Sequence, residues 1–265
     1  MDAPRLAVPF ALLAALALAP LPSARAEMPE PGLREQEWAL AAARRHFEAR
    51  RYEQALSQFE SAGRDGAPAL PSEALRQWGL AASETGWPLA AWVRLRQYLA
   101  AAPEAPDRPD LEARAGRART ALLAVAPRRS RLVATLDQRD FDEPPERRIV
   151  RLVARDGQAT IEALSQAGRS AAPWERAGEL PIDVHLRLVA RLLDAPAVAA
   201  NIPAQAFDPN EVGPRRAVAL RIVVGEEERR IQALRGTPYD EIRALVAEVL
   251  EFARTAPLVG EGETD

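Results

Sequence analysis

The chain has 265 residues, long enough for two hydrophobic cores, and no cysteine, which excludes disulfides, thiol catalysis, thiolate metal sites and lipid attachment at cysteine. Its 35 basic residues, all of them arginine, stand against 38 acidic ones for a net charge of −3. Absent lysine together with abundant Ala and Pro reads as GC-rich coding bias, and a faintly acidic chain with interspersed signs excludes a dedicated nucleic-acid binder.

Residues 1–26 have the grammar of a cleaved signal peptide. Arg5 gives a positive start, Leu6 to Leu21 is almost wholly apolar, and Ala24-Arg25-Ala26 forms a small-x-small site before Glu27. The apolar run carries Pro9 and Pro20 and is shorter than the roughly 20 residues a spanning helix needs. Export to the periplasm or the medium, with no stable membrane insertion after cleavage, is the expectation.

After a short polar leader, Pro29 to Gly32, the period becomes helical. Trp38, Leu40 and Ala42 open a helix that runs to Arg50. A second follows from Tyr52 to Ala62, with Tyr52, Ala55, Leu56, Phe59 and Ala62 at helical spacing. Only the Arg50-Arg51 corner separates them, so the two are antiparallel neighbours. The loop Gly63 to Pro71 closes the unit. Ser72, a candidate N-cap, opens a third helix with Leu75, Trp78 and Leu80 that breaks at Gly86. A fourth helix spans Trp87 to Ala102, with Pro88 in its first turn, where a missing amide costs nothing. Pro103, Pro106 and Pro109 end it. The fifth, Asp110 to Val125, sets Leu111, Leu122 and Leu123 against Arg114, Arg117 and Arg119, giving one packed and one wet face.

The second hairpin repeats the first in looser form. Ala43 corresponds to Gly79 and Ala55 to Ala91, small residues where paired helices cross. Phe59 and Leu95 fill the groove between them, and Arg50 and Gly86 stand at the corners. Tyr52, Ala62 and Pro103 complete a pattern that resembles the tetratricopeptide repeat. The period is about 36 residues rather than the usual 34, Arg50 replaces the corner glycine, and Tyr98 stands where a small residue is usual. The resemblance covers about residues 34–103 and implies that the first helix of each unit lines a protein-binding surface. That would expose Arg44, Phe47 and Glu48 from one unit and Arg76, Leu80 and Glu84 from the next. Arg44, Phe47, Arg76 and Leu80 are then the candidate partner-binding residues, the arginines suited to a peptide carboxylate and the apolar groups to a side chain. The fifth helix caps the array.

From Arg128 the period changes to two. Arg131 to Leu136 reads as a strand, and Ile149 to Leu164 as two strands around Asp156-Gly157, a strong hairpin signal. After a loop carrying Trp174, Leu180 to Leu193 is helical. Pro196 and Pro203 punctuate a long loop to Gly213. Val218 to Val224 and Arg229 to Leu234 form a hairpin across Gly225 to Glu228. Thr237 as cap, Pro238 as first helical residue and Asp240-Glu241 in the first turn open a last helix to about Arg254.

The expected fold class is α+β. An all-α helical-hairpin domain, 27–127, precedes a two-layer α+β domain, 128–256, built from antiparallel hairpins and two helices, and a disordered acidic tail, 257–265. The second domain also resembles emfourin-like domains, in Glu179 to Leu193 and in the closing strand-strand-helix. This implies inhibition of an exported thermolysin-type protease, although Asp156-Gly157 alone represents the family's glycine-rich segment.

A search for chemistry yields no convergent set. The histidines are His46 and His185, and Asp183 is two residues from His185 on a helix, on a different face, so His185 reads as a partly exposed structural residue. Gly168 to Ala172 lacks the second glycine of a nucleophile elbow. Asp140, Asp142 and Glu143 run into Pro144-Pro145 without the turn of a calcium loop. Glu226 to Glu228 fall in a predicted turn where charge favours exposure, and Trp174 beside Glu175 and Arg176 reads as a cap on the core. No phosphate-binding or dinucleotide fingerprint occurs. The reading is an exported, non-catalytic protein-binding or scaffolding protein without cofactor or metal, its protein partner not specified by the residues.

Overall fold

The computed structural model describes residues 31–63, 69–139, 146–167, 174–200, 215–233 and 237–260. Five helices come first: α1 (Pro31–Glu48), α2 (Tyr52–Ala62), α3 (Ser72–Thr85), α4 (Pro88–Ala101) and α5 (Arg108–Val125). Each packs on the next. Ala43, Ala55 and Ala91 are fully buried, as residues at helix crossings must be. At Gly79 the crossing is tighter still. A Cβ there would stand 2.7 Å from Leu95 Cγ and 3.0 Å from the Leu95 backbone nitrogen, so α3 and α4 approach with no room for a methyl group. The Trp78 ring stacks on Phe59 at 5.8 Å and 9°, joining the second hairpin to the first.

Both hairpin corners have the same geometry. Gly86 ends α3 at φ 77°, and the Trp87 amide reaches back to the Ala82 carbonyl at 2.9 Å. Arg50 adopts φ 58°, and the Arg51 amide reaches the His46 carbonyl at 2.8 Å. Each is a left-handed residue followed by a six-to-one backbone bond, which satisfies carbonyls that the helix end leaves free. Arg50 thus does the work of the missing corner glycine, at the steric cost of a Cβ. The opening of α3 differs from expectation: Pro71 occupies the cap position and Ser72 is already helical. Trp38, one of the residues that opened the expected first helix, is 78 % exposed.

The remainder is one six-stranded antiparallel sheet: β1 (Arg129–Arg139), β2 (Glu146–Arg155), β3 (Gln158–Ala167), β4 (Trp174–Leu180), β5 (Arg215–Val224) and β6 (Glu227–Ala233), in the order β4-β3-β2-β1-β5-β6. Asp156 and Gly157, both at positive φ (53° and 87°), make the two-residue turn between β2 and β3. Leu132, Ala134, Val150, Leu152, Ile161, Leu220, Ile222 and Ile231 point to one buried face. There α6 (Ile182–Asp194), the single-turn α7 (Pro196–Ala199) and α8 (Thr237–Thr255) lie, with α6 and α8 on the sheet. The opposite face is a wet ladder that pairs Arg151 with Glu162 at 3.4 Å and Arg221 with Glu228 at 2.5 Å. The architecture is α+β. Buried residues of the helical and sheet halves form one continuous cluster.

Several elements differ from the sequence reading, among them α7, a helical turn where the long loop was expected, and α1, which already begins at Pro31. Trp174 begins edge strand β4 rather than lying in a loop; Trp-Glu-Arg-Ala-Gly-Glu-Leu contains no β-branched residue, and pairing with β3 decides its state. The β5–β6 turn is Gly225-Glu226 alone, with Gly225 at φ 64°, so Glu227 and Glu228 are strand residues. Pro257 to Gly260 are not free tail: the Val259 amide bonds the Glu179 carbonyl at 2.9 Å, and Leu258 occupies the space that a Cβ on Gly178 would fill, 2.6 Å away.

The two corners and the crossing make a paired test by urea unfolding. Arg50→Gly raises stability by about 0.5–1 kcal/mol, because relief of the left-handed Cβ exceeds glycine's entropy cost. Gly79→Ala lowers it by about 1–3 kcal/mol, the overpacking against Leu95 outweighing alanine's better helix propensity.

Candidate functional site

The four expected partner-binding residues occupy unlike environments. Arg44 is exposed on α1, while Phe47 is half-buried, edge-on to Tyr52 at 5.7 Å. Arg76 is committed to Asp107, with Nε and Nη2 at 2.8 and 2.5 Å from one carboxylate oxygen. Leu80 is half-buried against the core, and Glu84 pairs with Arg114 at 2.9 Å. The polar density of the molecule lies elsewhere, along the seam where α4 meets the sheet half.

The N-terminus of α4 shows why. Its cap residue Trp87 offers no side-chain acceptor, and Pro88 at the first position has no amide. The Ala91 amide is closed on the Trp87 carbonyl at 3.0 Å, which leaves the amides of Leu89 and Ala90. Both are taken by Glu227, 138 and 137 residues away, at 2.9 and 2.8 Å. A carboxylate on two helix N-terminal amides is favoured by the hydrogen bonds and by the helix dipole. Burial pushes the Glu227 carboxyl above its usual range, and the two amides oppose that shift. Further along α4, Trp92 Nε1 donates to the Leu193 carbonyl at 3.0 Å, Arg96 to the Asp194 carbonyl at 3.1 Å and Gln97 to the Ala200 carbonyl at 2.8 Å. From α5, Arg119 forks onto the Asp194 carboxylate at 2.8 and 2.6 Å.

Beside Glu227 a cleft of about 380 Å³ opens between α3, α4 and β6. Arg94 lies on its wall, its guanidinium carbon 3.7 Å from the Trp78 ring centroid and Nη1 bonded to Gln97 Oε1 at 2.9 Å. Arg229, on the core face of β6, donates Nη2 to the Ala200 carbonyl at 3.1 Å, and its buried Nε–H has no acceptor among the described residues. Each residue as a whole keeps some exposure while its guanidinium is desolvated. Burial holds Arg229 down to about 10; burial, then repulsion from Arg229, holds Arg94 well below the usual arginine range. Trp87, 41 % exposed, separates this cleft from an apolar groove of about 420 Å³ between α3, α4 and α5. Ala91, Ala118, Ala121 and Val125 floor the groove, and Arg114 and Arg117 stand at its rim.

His185 is 1 % exposed rather than partly exposed. Ser130 Oγ lies 2.8 Å from the Ala126 carbonyl and 2.9 Å from His185 Nε2. The hydroxyl proton goes to the carbonyl, so His185 carries its proton on Nε2 and donates to Ser130, and its buried Nδ1 lacks a partner among the described residues. This pair ties α6 to β1. Asp183 is instead paired with Arg187 at 3.1 Å. Among the described residues no three His, Asp or Glu side chains converge as metal ligands. No described helix is long and apolar enough to cross a membrane. Residues 1–30, Gly168 to Ala172, and Asp140, Asp142 and Glu143 lie outside the described residues.

Glu227, Arg229 and Arg94 were not singled out by sequence. A signal existed for two of them: Glu227 and Arg229 alternate in phase with Ile231 and Ala233, which are buried, so their side chains must face the core side. Misplacing the turn by two residues hid that phase. No family model matches the chain, and none of the curated proteins or solved structures compared with it does.

Removing the seam carboxylate in Glu227→Ala leaves two buried amides unsatisfied and lowers stability by about 2–4 kcal/mol in denaturant unfolding, while Glu227→Gln, which keeps one acceptor, loses roughly half of that. Burial pushes His185 down from 6.5 to about 4. The unfolded state therefore binds the extra proton between those values, so its contribution is intact above pH 6.5, declines as the pH falls and is lost by pH 4. The span is about 3 kcal/mol. Unfolding free energies of wild type and His185→Leu, compared from pH 7 to 4, check it: the variant's profile is flatter by that amount.

Proposed function

We propose that this is an exported, non-catalytic protein-binding protein whose helical half presents the partner's docking surface. The observation that carries this reading is the groove beside Trp87. Exposed large hydrophobic side chains are few, and two of them, Trp87 and Val125, meet at one depression floored by alanines and rimmed by arginines. An aromatic anchor, a narrow apolar floor and a polar rim are the anatomy of a binding hot spot. Small residues let a partner's helix or extended segment approach the α4 and α5 backbones closely, and Arg117, exposed and without an ion pair among the described residues, stands ready for an acidic neighbour. Export is read from the signal grammar of residues 1–26.

The helical repeat pattern supports the same reading, with the surface moved. Arg76 is neutralised by Asp107 and Phe47 is packed on Tyr52, while Arg44 stays exposed; the anchors that meet at one groove lie further along, at the start of α4 and the end of α5. Crosslinking in cells followed by identification of captured proteins supplies the partner. Trp87→Ala and Ala121→Arg then each weaken capture by about 2 kcal/mol or more, roughly thirty-fold in Kd. Arg151→Ala on the open sheet face leaves it unchanged. Capture that survives both groove variants and is lost with Arg151→Ala overturns the assignment.

A further inference from the structure

We propose that the cleft between α3, α4 and β6 is an oxyanion-binding site in which Arg94 and Arg229 together hold a carboxylate or phosphate group. The inference is independent of which protein fills the groove beyond Trp87. It begins from a contrast among the arginines. Arg76, Arg114, Arg119 and Arg221 each have a carboxylate oxygen within 2.5–2.9 Å. Arg94 and Arg229 are more deeply placed, yet neither has an ion pair among the described residues.

The carboxylates that line the cleft do not neutralise them. Both oxygens of Glu227 are engaged by the α4 amides, and Glu228 is forked by Arg221 on the other face of the sheet. Glu226 leans to Arg129 at 3.8 Å, and Glu60 acts on Arg94 through its field without pairing. Two desolvated like charges in one cavity are costly unless something of opposite sign joins them. The structure keeps them in place regardless. Trp78, itself backed by Phe59, fixes the plane of the Arg94 guanidinium, and Gln97 holds one end. The Ala200 carbonyl holds one end of Arg229, and its buried Nε–H has no acceptor among the described residues. A guanidinium has five donors, and a planar or tetrahedral oxyanion accepts from two such forks at once. The volume, about 380 Å³, suits a small anion or an anionic side chain with part of its backbone. Arg229, at about 10, remains a cation at neutral pH.

The test titrates the purified protein separately with inorganic phosphate and with glutarate at fixed ionic strength. It follows the arginine Nε–H resonances, assigned with Arg94→Gln and Arg229→Gln, together with Tm. Expected is a saturable shift of both resonances with at least one anion at millimolar concentration, accompanied by a rise in Tm. The anion that saturates first separates a phosphorylated ligand from a carboxylate one. Arg229→Gln abolishes the response and, without anion, melts no lower than wild type, because an unpaired buried charge has gone. Ala121→Arg, which fills the other groove, leaves the anion response intact, so failure of the protein-binding reading and failure of this one are distinguishable. No saturable shift with either anion below roughly 100 mM, or an Arg229→Gln protein that melts lower and still responds, overturns the proposal.

Discussion

The bidentate bond from Glu227 to the first free amides of α4 is the contact on which the arrangement of the two halves depends. A helix beginning Trp-Pro has no side-chain cap of its own, and its first free amides, of Leu89 and Ala90, face the sheet half. The start of β6 supplies the remote acceptor. Once that end of α4 is fixed, its outward side chains reach the carbonyls at the end of α6 and α7: Trp92 to Leu193, Arg96 to Asp194, Gln97 to Ala200. The amides of one helix are closed by the sheet half, and the open carbonyls of another are closed by the helical half. The halves are thereby joined by mutual satisfaction of helix ends as well as by a common apolar cluster.

Arginine makes this possible in a way that lysine would not. The C-terminal carbonyls of α8 are gathered by Arg176, which donates to Ala253 at 3.1 Å, Ala256 at 2.7 Å and Arg254. Arg108 does the same for α4 through the Leu99 and Pro103 carbonyls. A planar fork with several donors closes two or three acceptors at once, and its charge suits the negative end of a helix. A compositional bias that reads as coding preference is thus put to structural use. Against that background the pair at Arg94 and Arg229 stands out, since both line one cleft and neither has a carboxylate partner among the described residues.

The two depressions share Trp87 as their common wall. One is apolar with a basic rim, the other is lined by charges of both signs over an aromatic base, and both are built where α4 begins. Glu227 therefore has a second consequence: by fixing the first turn of α4 it sets the position of Trp87 and, through the same strand, of Arg229. Both depressions are thereby tied to the contact between the halves.

Local grammar was legible from sequence. Tyr52 to Ala62, the Asp156-Gly157 turn, the break at Gly86 and the last helix all follow from apolar period, turn chemistry and helix-end preferences, which neighbouring residues determine among themselves. The pairing of Ala43 with Gly79 and Ala55 with Ala91 marked the crossings, because closeness of backbones leaves a trace in residue size. What sequence could not carry was the identity of partners far apart in the chain. Edge strand β4 has no strand-like composition and exists through β3; Leu258 lies down because Gly178 leaves it space; Glu227 is buried because α4 lacks a cap. Arg94 and Arg229 lie 135 positions apart and look, in sequence, like any other surface arginine. Charge and hydrogen-bonding capacity are local properties, but whether they are satisfied is decided only when the tertiary fold brings the acceptors, or fails to bring them.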